Sequence, residues 1–143
     1  MVPLSVKQIM QAAQDEFHKE SGVLTYGHVV CRPTRKEAEE FLHYYSEENA
    51  DWEAVDSLLA LHGLNAMHER GDSLASFRSR YAAGHGSCPL IGTPDDIADE
   101  IEKFHLAKFA GMTISFLDYA KELPYFSQEV LPRLERKGVR LPR

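Results

Sequence analysis

Residues 88–104 read CPLIGTPDDIADEIEKF, and a strand, a turn and a helix start follow one another there without a gap. Cys88 to Ile91 is a short apolar run, of strand rather than helix length. Gly92 turns the chain. Thr93 is an N-cap, Pro94 suits the first helical position, and Asp96 stands where a capping-box acid reaches back to Thr93. Ile97, Ala98, Ile101 and Phe104 then recur at helical spacing, and the stem of Lys108 extends their stripe. Gly111 separates this helix from a further strand, GMTISF. A strand, a helix and a strand in this order imply parallel pairing and a right-handed crossover. Gly-Thr-Pro at the turn looks at first like part of a phosphate loop. It lacks the lysine and the glycine run of a phosphate cradle, and the acids that follow repel phosphate.

The same alternation extends to both sides. Ser5 to about Glu20 is helical, with Ser5 and Gln8 as a capping pair and Ile9, Ala12, Ala13 and Phe17 on one stripe. VLTYGHVVC, Val23 to Cys31, is rich in β-branched residues and reads as a strand. Thr34 and Glu37 form a second capping box, opening a helix to about Ser46 with Ala38, Phe41, Leu42 and Tyr45 inward. Asn49 to Leu64 predicts another, with Trp52, Val55, Leu58, Leu59 and His62 as its stripe and Gly63 near its end. Ser73 to Tyr81 is a short helical segment, and AAGHGS, Ala82 to Ser87, is a loop on account of its glycines. The last helix runs from roughly Leu123 to Lys137, with Leu123, Phe126, Val130 and Leu134 inward. Pro132 kinks it and Gly138 stops it.

The chain has 143 residues, about one domain at ~150 residues per domain. Hydrophobic residues make up 43% and charged residues 27%, ordinary values for a globular protein. The net charge of −6 leaves no basic footprint, which argues against nucleic acid or an anionic membrane as partner. The two cysteines, Cys31 and Cys88, have no metal-ligand spacing and read as small apolar residues in a reducing compartment. No secretory h-region and no apolar run of spanning length is present, so the expected location is the cytoplasm.

Three parallel strands make a poor α/β domain by themselves, since each outer strand leaves unpaired backbone groups. The chain is therefore expected to meet more sheet, either from a partner or as the later part of a larger barrel.

Alternation puts Leu24, Tyr26, His28 and Val30 on one face of the first strand and Thr25, Gly27, Val29 and Cys31 on the other. A tyrosine and a histidine on one face of a buried strand need partners. They read either as a satisfied core pair or as a pocket wall with His28 as acid, base or substrate donor. Gly84, His85, Gly86 and Ser87 read either as an ordinary connection or as a mobile loop over a ligand. His18, His43, His62, His68 and His105 lack the H-E-x-x-H spacing of a helical zinc site and read as surface or packing residues. Asp95, Asp96, Asp99, Glu100 and Glu102 read as a solvated helix face.

PLIGTPDDIADEIEKF and AKFAGMTISFLDYAKELPYFSQEVLPRLERKG together closely resemble the C-terminal end of bacterial luciferase-like, flavin-dependent monooxygenases. That family has a Gly-Thr-Pro-Glu-like helix start, an alanine-rich helix, a last strand opened by glycine, and a helix with a Val-Leu-Pro-x-Leu stop. Here the stop is Val130-Leu131-Pro132-Arg133-Leu134. YGHVVCRPTRKEAEEF is similar to the family's strand with an inward histidine and its Thr-x-x-Glu-Ala helix start. The resemblance spans residues 22–138 and marks the Thr93 helix as the seventh of a barrel.

The resemblance implies the C-terminal portion of a TIM-type (β/α)8 barrel, about three parallel strands with their helices. It implies reduced FMN as cofactor (coenzyme F420 in some branches), supplied by a partner flavin reductase. O2 and a small organic substrate are the other reactants. His28 falls at the position of an active-site histidine in alkanesulfonate-type members, and Tyr26 where those members carry an arginine, against an anionic substrate group. Gly84 to Ser87 fall near the mobile loop over the flavin, which makes Tyr26, Gly84, His85, Gly86 and Ser87 the cofactor-binding candidates. A full barrel takes roughly 250 residues or more. The 143-residue chain is thus expected to be a fragment, a truncated reading frame or one part of a split assembly, inactive alone and completed by a missing barrel half or by homo-oligomerisation. Two alternatives stand beside this reading. One is a non-catalytic α/β module that dimerises or docks through its sheet edges. The other is a sugar-phosphate binder using the Gly92 turn.

Overall fold

The structure is a computed structural model and describes residues 5–63 and 74–141. Helix α1 (Val6–Phe17) precedes strand β1 (Leu24–Cys31). Helix α2 (Arg35–His43) continues into a π-helical turn, Tyr44–Glu48, and is followed by α3 (Trp52–Leu61) and α4 (Leu74–Gly84). Then come β2 (Cys88–Gly92), α5 (Pro94–Leu106), β3 (Gly111–Ser115), α6 (Tyr119–Glu129) and α7 (Leu131–Arg136).

Three of the helices begin as their sequences dictate. Ser5 with Gln8, Thr34 with Glu37 and Thr93 with Asp96 each form a complete capping box. At the third, the Thr93 N–H and hydroxyl both donate to Asp96 Oδ2, at 2.9 and 2.8 Å. Gly92 is required there twice over: its φ is +146°, and a Cβ would lie 2.6 Å from Asp96 Oδ2. The carboxylate thus fills the N-terminus of α5, and the turn offers no anion cradle.

The three strands are parallel, in the order β2-β1-β3. The chain moves from β1 to β2 on one side and then crosses back over β1 to reach β3. With crossovers of one hand, that reversal sends successive helices to opposite faces of the sheet. The burial agrees. Val29, Cys31 and Leu90 pack with Ile97, Ala98 and Ile101 of α5 and with Phe126, Val130 and Leu134 behind them. The opposite face, bearing His28, Val30, Pro89 and Ile91, is turned to α2, the π-helical turn and α4, which bury His28 and Val30 and leave Ile91 half-buried and Pro89 exposed. A smaller cluster of Val55, Leu59 and Tyr81 joins α3 to α4, where the Arg78 guanidinium makes a two-pronged pair with Asp56 and lies 4.4 Å from the centre of the Trp52 ring.

Several expectations change. Ala82 to Gly84, read as loop, are the last turn of α4, and only His85 to Ser87 connect it to β2. The last helix starts at Tyr119, and its kink is a break at Val130, with Pro132 in the first turn of α7, where a missing N–H costs nothing. Leu123 and Leu58 are exposed rather than inward, and the α1 stripe is open to solvent, with Phe17 66% exposed. Leu64, His68 and Ser73 lie outside the described residues.

Candidate functional site

His28 occupies the centre of the sheet. Its register neighbours are Pro89 on β2 and Ser115 on β3. The side chain is 8% exposed. Its Nδ1 lies 2.8 Å from Ser115 Oγ, and the Tyr26 hydroxyl donates to the same oxygen at 2.8 Å. The β pleat brings this about: Tyr26 and His28 share a face two residues apart, and Ser115 reaches between them from the neighbouring strand. The Tyr45 ring, from the π-helical turn, stands edge-on 6.2 Å from the imidazole. Tyr45 itself is anchored by its hydroxyl, which donates to Ala83 O at 2.8 Å.

The other ring nitrogen, Nε2, is buried and has no hydrogen-bond partner. Such a group costs roughly 1–3 kcal/mol where it stays unpaired. Burial holds the His28 pKa below the ordinary imidazole value, with the Glu122 carboxylate pulling weakly the other way. The histidine is therefore neutral near pH 7. Glu122 is itself buried and engaged: Arg32 donates to it at 2.9 Å, and so does the Asp118 N–H at 2.8 Å.

His28 forms part of the wall of a cavity of about 170 Å³. Val30, Leu42, Ala83, Pro89 and Ile91 make most of the remaining wall apolar. Gly84 and Ser87 also line it. Gly84 serves by its smallness rather than by loop freedom, since a Cβ there would come 2.6 Å from His28 Cβ. The Ser87 hydroxyl donates to Gly84 O at 2.6 Å. His85 and Gly86, at φ +56° and +74°, turn away from this cavity. The His85 ring stacks on Tyr81 with centroids 4.5 Å apart, and its Nε2 is 3.2 Å from the Tyr81 hydroxyl.

Of the six residues singled out from the sequence, the fold gathers His28, Gly84 and Ser87 at the cavity. Tyr26 joins them through Ser115, while His85 and Gly86 stand apart. Ser115, Tyr45 and Glu122 were not anticipated. Ser115 carried one legible signal, as a polar residue at the carboxyl end of a parallel strand, where α/β sites gather. Tyr45 was legible as an inward residue of its helix but not as a neighbour of His28, and Glu122 carried no signal, because both helices reach the site only through tertiary packing. Among the described residues no group of three or more histidine, cysteine or carboxylate side chains is placed to hold a metal ion. No helix among them is long and apolar enough to cross a membrane.

The enclosed space beside His28 does not by itself hold a flavin ring system. A cavity of about 150 Å³ holds one benzene, and an isoalloxazine has three fused rings. This space of about 170 Å³ is one ring in size.

The fold defines the class. The chain is similar in structure to riboflavin lyase RcaE, solved with modified FMN and riboflavin, at a TM-score of 0.62 and 21% identity over 82% of this chain and 31% of that one. It is similar to the long-chain alkane monooxygenase LadA at a TM-score of 0.62 and 18% identity, over 93% of this chain and 33% of that one. DmoA from Hyphomicrobium sulfonivorans aligns at a TM-score of 0.59 and 19% identity, over 94% and 36%. The chain shares an α/β fold with part of each of these proteins, and it spans about a third of their length. No protein-family model matches it, and no curated protein matches it in sequence.

Proposed function

We propose that the chain is part of an FMN-dependent, luciferase-like monooxygenase in which reduced flavin and O2 oxidise a small organic substrate, with His28 in the wall of the substrate pocket. The observation that carries this reading is a buried, neutral histidine with one nitrogen tied to Ser115 and the other unpaired beside a cavity. It sits in a fold shared with proteins described as a riboflavin lyase and an alkane monooxygenase. The cavity has room for a substrate ring and not for the flavin, so the flavin site requires the barrel strands that this chain does not span. When bound, the flavin supplies the oxygen-activating chemistry. The role of His28 is to hold or donate a proton to a polar atom of the substrate.

A visible-absorption titration with FMN tests the reading. The 143-residue chain alone is expected not to perturb the flavin spectrum. The chain joined to the part of the alkane monooxygenase that it does not cover is expected to bind FMN. A folded chimera that leaves the flavin spectrum unchanged would remove the flavin assignment.

One set of observations favours a second reading, a non-catalytic module that docks on more protein. Among the described residues β2 and β3 each pair on one side only, and Ile9, Met10 and Phe17 of α1 and Leu24 at the start of β1 are each exposed. Light scattering separates the two readings. A chain that stays monomeric at high concentration and melts cooperatively argues against docking through these edges.

A further inference from the structure

Two distributions of hydrogens fit the Tyr26, Ser115 and His28 side chains: Ser115 donates to His28 Nδ1, or it accepts from Nδ1 and donates to Gly27 O. The Tyr26 hydroxyl donates to Ser115 Oγ. Ser115 then has a single hydrogen, with two acceptors in reach: His28 Nδ1 at 2.8 Å and Gly27 O at 3.5 Å. The first distribution gives the Ser115 hydrogen the shorter bond, 2.8 Å against 3.5 Å, and 3.5 Å is at the limit of the interaction. Donation to Nδ1 also lets the two hydroxyl bonds polarise one another. With Nδ1 accepting, the ring proton of the neutral imidazole belongs to Nε2. The serine hydroxyls of the cavity wall with known partners are already committed as donors, Ser46 to Leu42 O at 2.8 Å and Ser87 to Gly84 O at 2.6 Å. The charged wall residues, Glu47 and Arg80, are one of each sign.

We propose that the Tyr26–Ser115 relay fixes His28 as its Nε2–H tautomer and makes this cavity a site for a neutral, one-ring molecule carrying a hydrogen-bond acceptor, such as a cyclic ketone. Tyr26 and Ser115 are positioning residues here, acting through His28. The proposal rests on the reading of His28 as the polar group of the substrate pocket. Its test involves no flavin, so it can fail while the flavin assignment stands, and the reverse.

The experiment is ¹⁵N NMR of the imidazole nitrogens of the full chain at pH 7.5, with cyclohexanone as probe and methylcyclohexane as the same shape without the acceptor. Nε2 of His28 is expected to carry the proton and to shift saturably with cyclohexanone. Methylcyclohexane is expected to leave Nε2 in place and to bind about fivefold more weakly, the value of one neutral hydrogen bond. Ser115→Ala is expected to mix the two tautomers and weaken the ketone by a similar factor, and Ser115→Thr to restore both. A wild-type His28 protonated at Nδ1, or a ketone that leaves Nε2 unmoved, overturns the proposal. If Ser115→Ala does not fold, Tyr26→Phe decides: an unchanged tautomer and affinity overturn the relay, and a mixed tautomer with weaker binding supports it.

Discussion

At the scale of single residues, His28 links stability to pH. Burial holds its pKa below that of an unfolded histidine, about 6.5. As pH falls through that value the unfolded chain takes up a proton and the folded chain does not, so the unfolded state gains. The stabilisation is complete above about pH 6.5 and is lost progressively as pH falls towards the lowered folded value. Urea midpoints at pH 7.5, 6.5 and 5.5 are expected to decline, and His28→Gln is expected to flatten that decline. Equal slopes in the two proteins would show that desolvation of His28 is not the cause. Gly84 gives a second expectation. Helix propensity alone favours alanine there by about 1 kcal/mol. The contact of a Cβ at 2.6 Å with His28 Cβ opposes it, and overpacking costs about 1–3 kcal/mol. Gly84→Ala is therefore expected to lower stability, with chemical-shift changes centred on His28. Cys31 gives a third. Burial pushes its thiol up to about 11, so alkylation of the native protein at pH 8 is expected at Cys88, the more exposed cysteine, well before Cys31.

At the scale of elements, the helix starts are self-contained. Thr93 accepts from the Asp96 N–H at 3.2 Å and donates to its carboxylate, and Arg35 of α2 reaches the other oxygen at 3.2 Å. Thr93→Ala is expected to cost about 1 kcal/mol in a urea melt without changing the fold. Thr93→Ser keeps the capping hydroxyl and is expected to retain most of that stability. Neither substitution is expected to alter the response of the melt to added phosphate, because Asp96 occupies the helix start. Helix α4 behaves differently. Its final turn contains Gly84, a residue that reads as a breaker in isolation, and it stays helical because the close approach to β1 is possible only without a side chain.

At the scale of the whole molecule, the strand order sets the character of the chain. Consecutive strands of a closed barrel are neighbours, and its helices all lie outside. Here β1 is central and helices cover both faces of the sheet. Helices α2 and α4 lie over the face that carries Val30, Pro89 and Ile91; Val30 is buried there, Ile91 is half-buried and Pro89 is exposed. Arg32 and Glu122 connect this sheet to the C-terminal helices. Arg32, at the end of β1, lies with its guanidinium 4.0 Å from the centre of the Phe41 ring and pairs with the buried Glu122 of α6. Glu122→Ala leaves the guanidinium and the Asp118 N–H without that acceptor. A loss of about 2–3 kcal/mol in unfolding free energy is expected, and a smaller loss for Glu122→Gln, which keeps an acceptor oxygen.

The sequence by itself determined the capping boxes at Ser5, Thr34 and Thr93, the three strands, their parallel sense and the face shared by Tyr26 and His28. Each of these follows from interactions within a few residues, or from a period that the chain carries along its own length. Only the tertiary structure decided that β1 lies between β2 and β3, that Gly84 belongs to a helix, that His85 faces Tyr81, and that Ser115 holds His28. The strand order and the hold of Ser115 on His28 depend on contacts between residues up to 89 positions apart, where packing of one element on another outweighs the local preference of either.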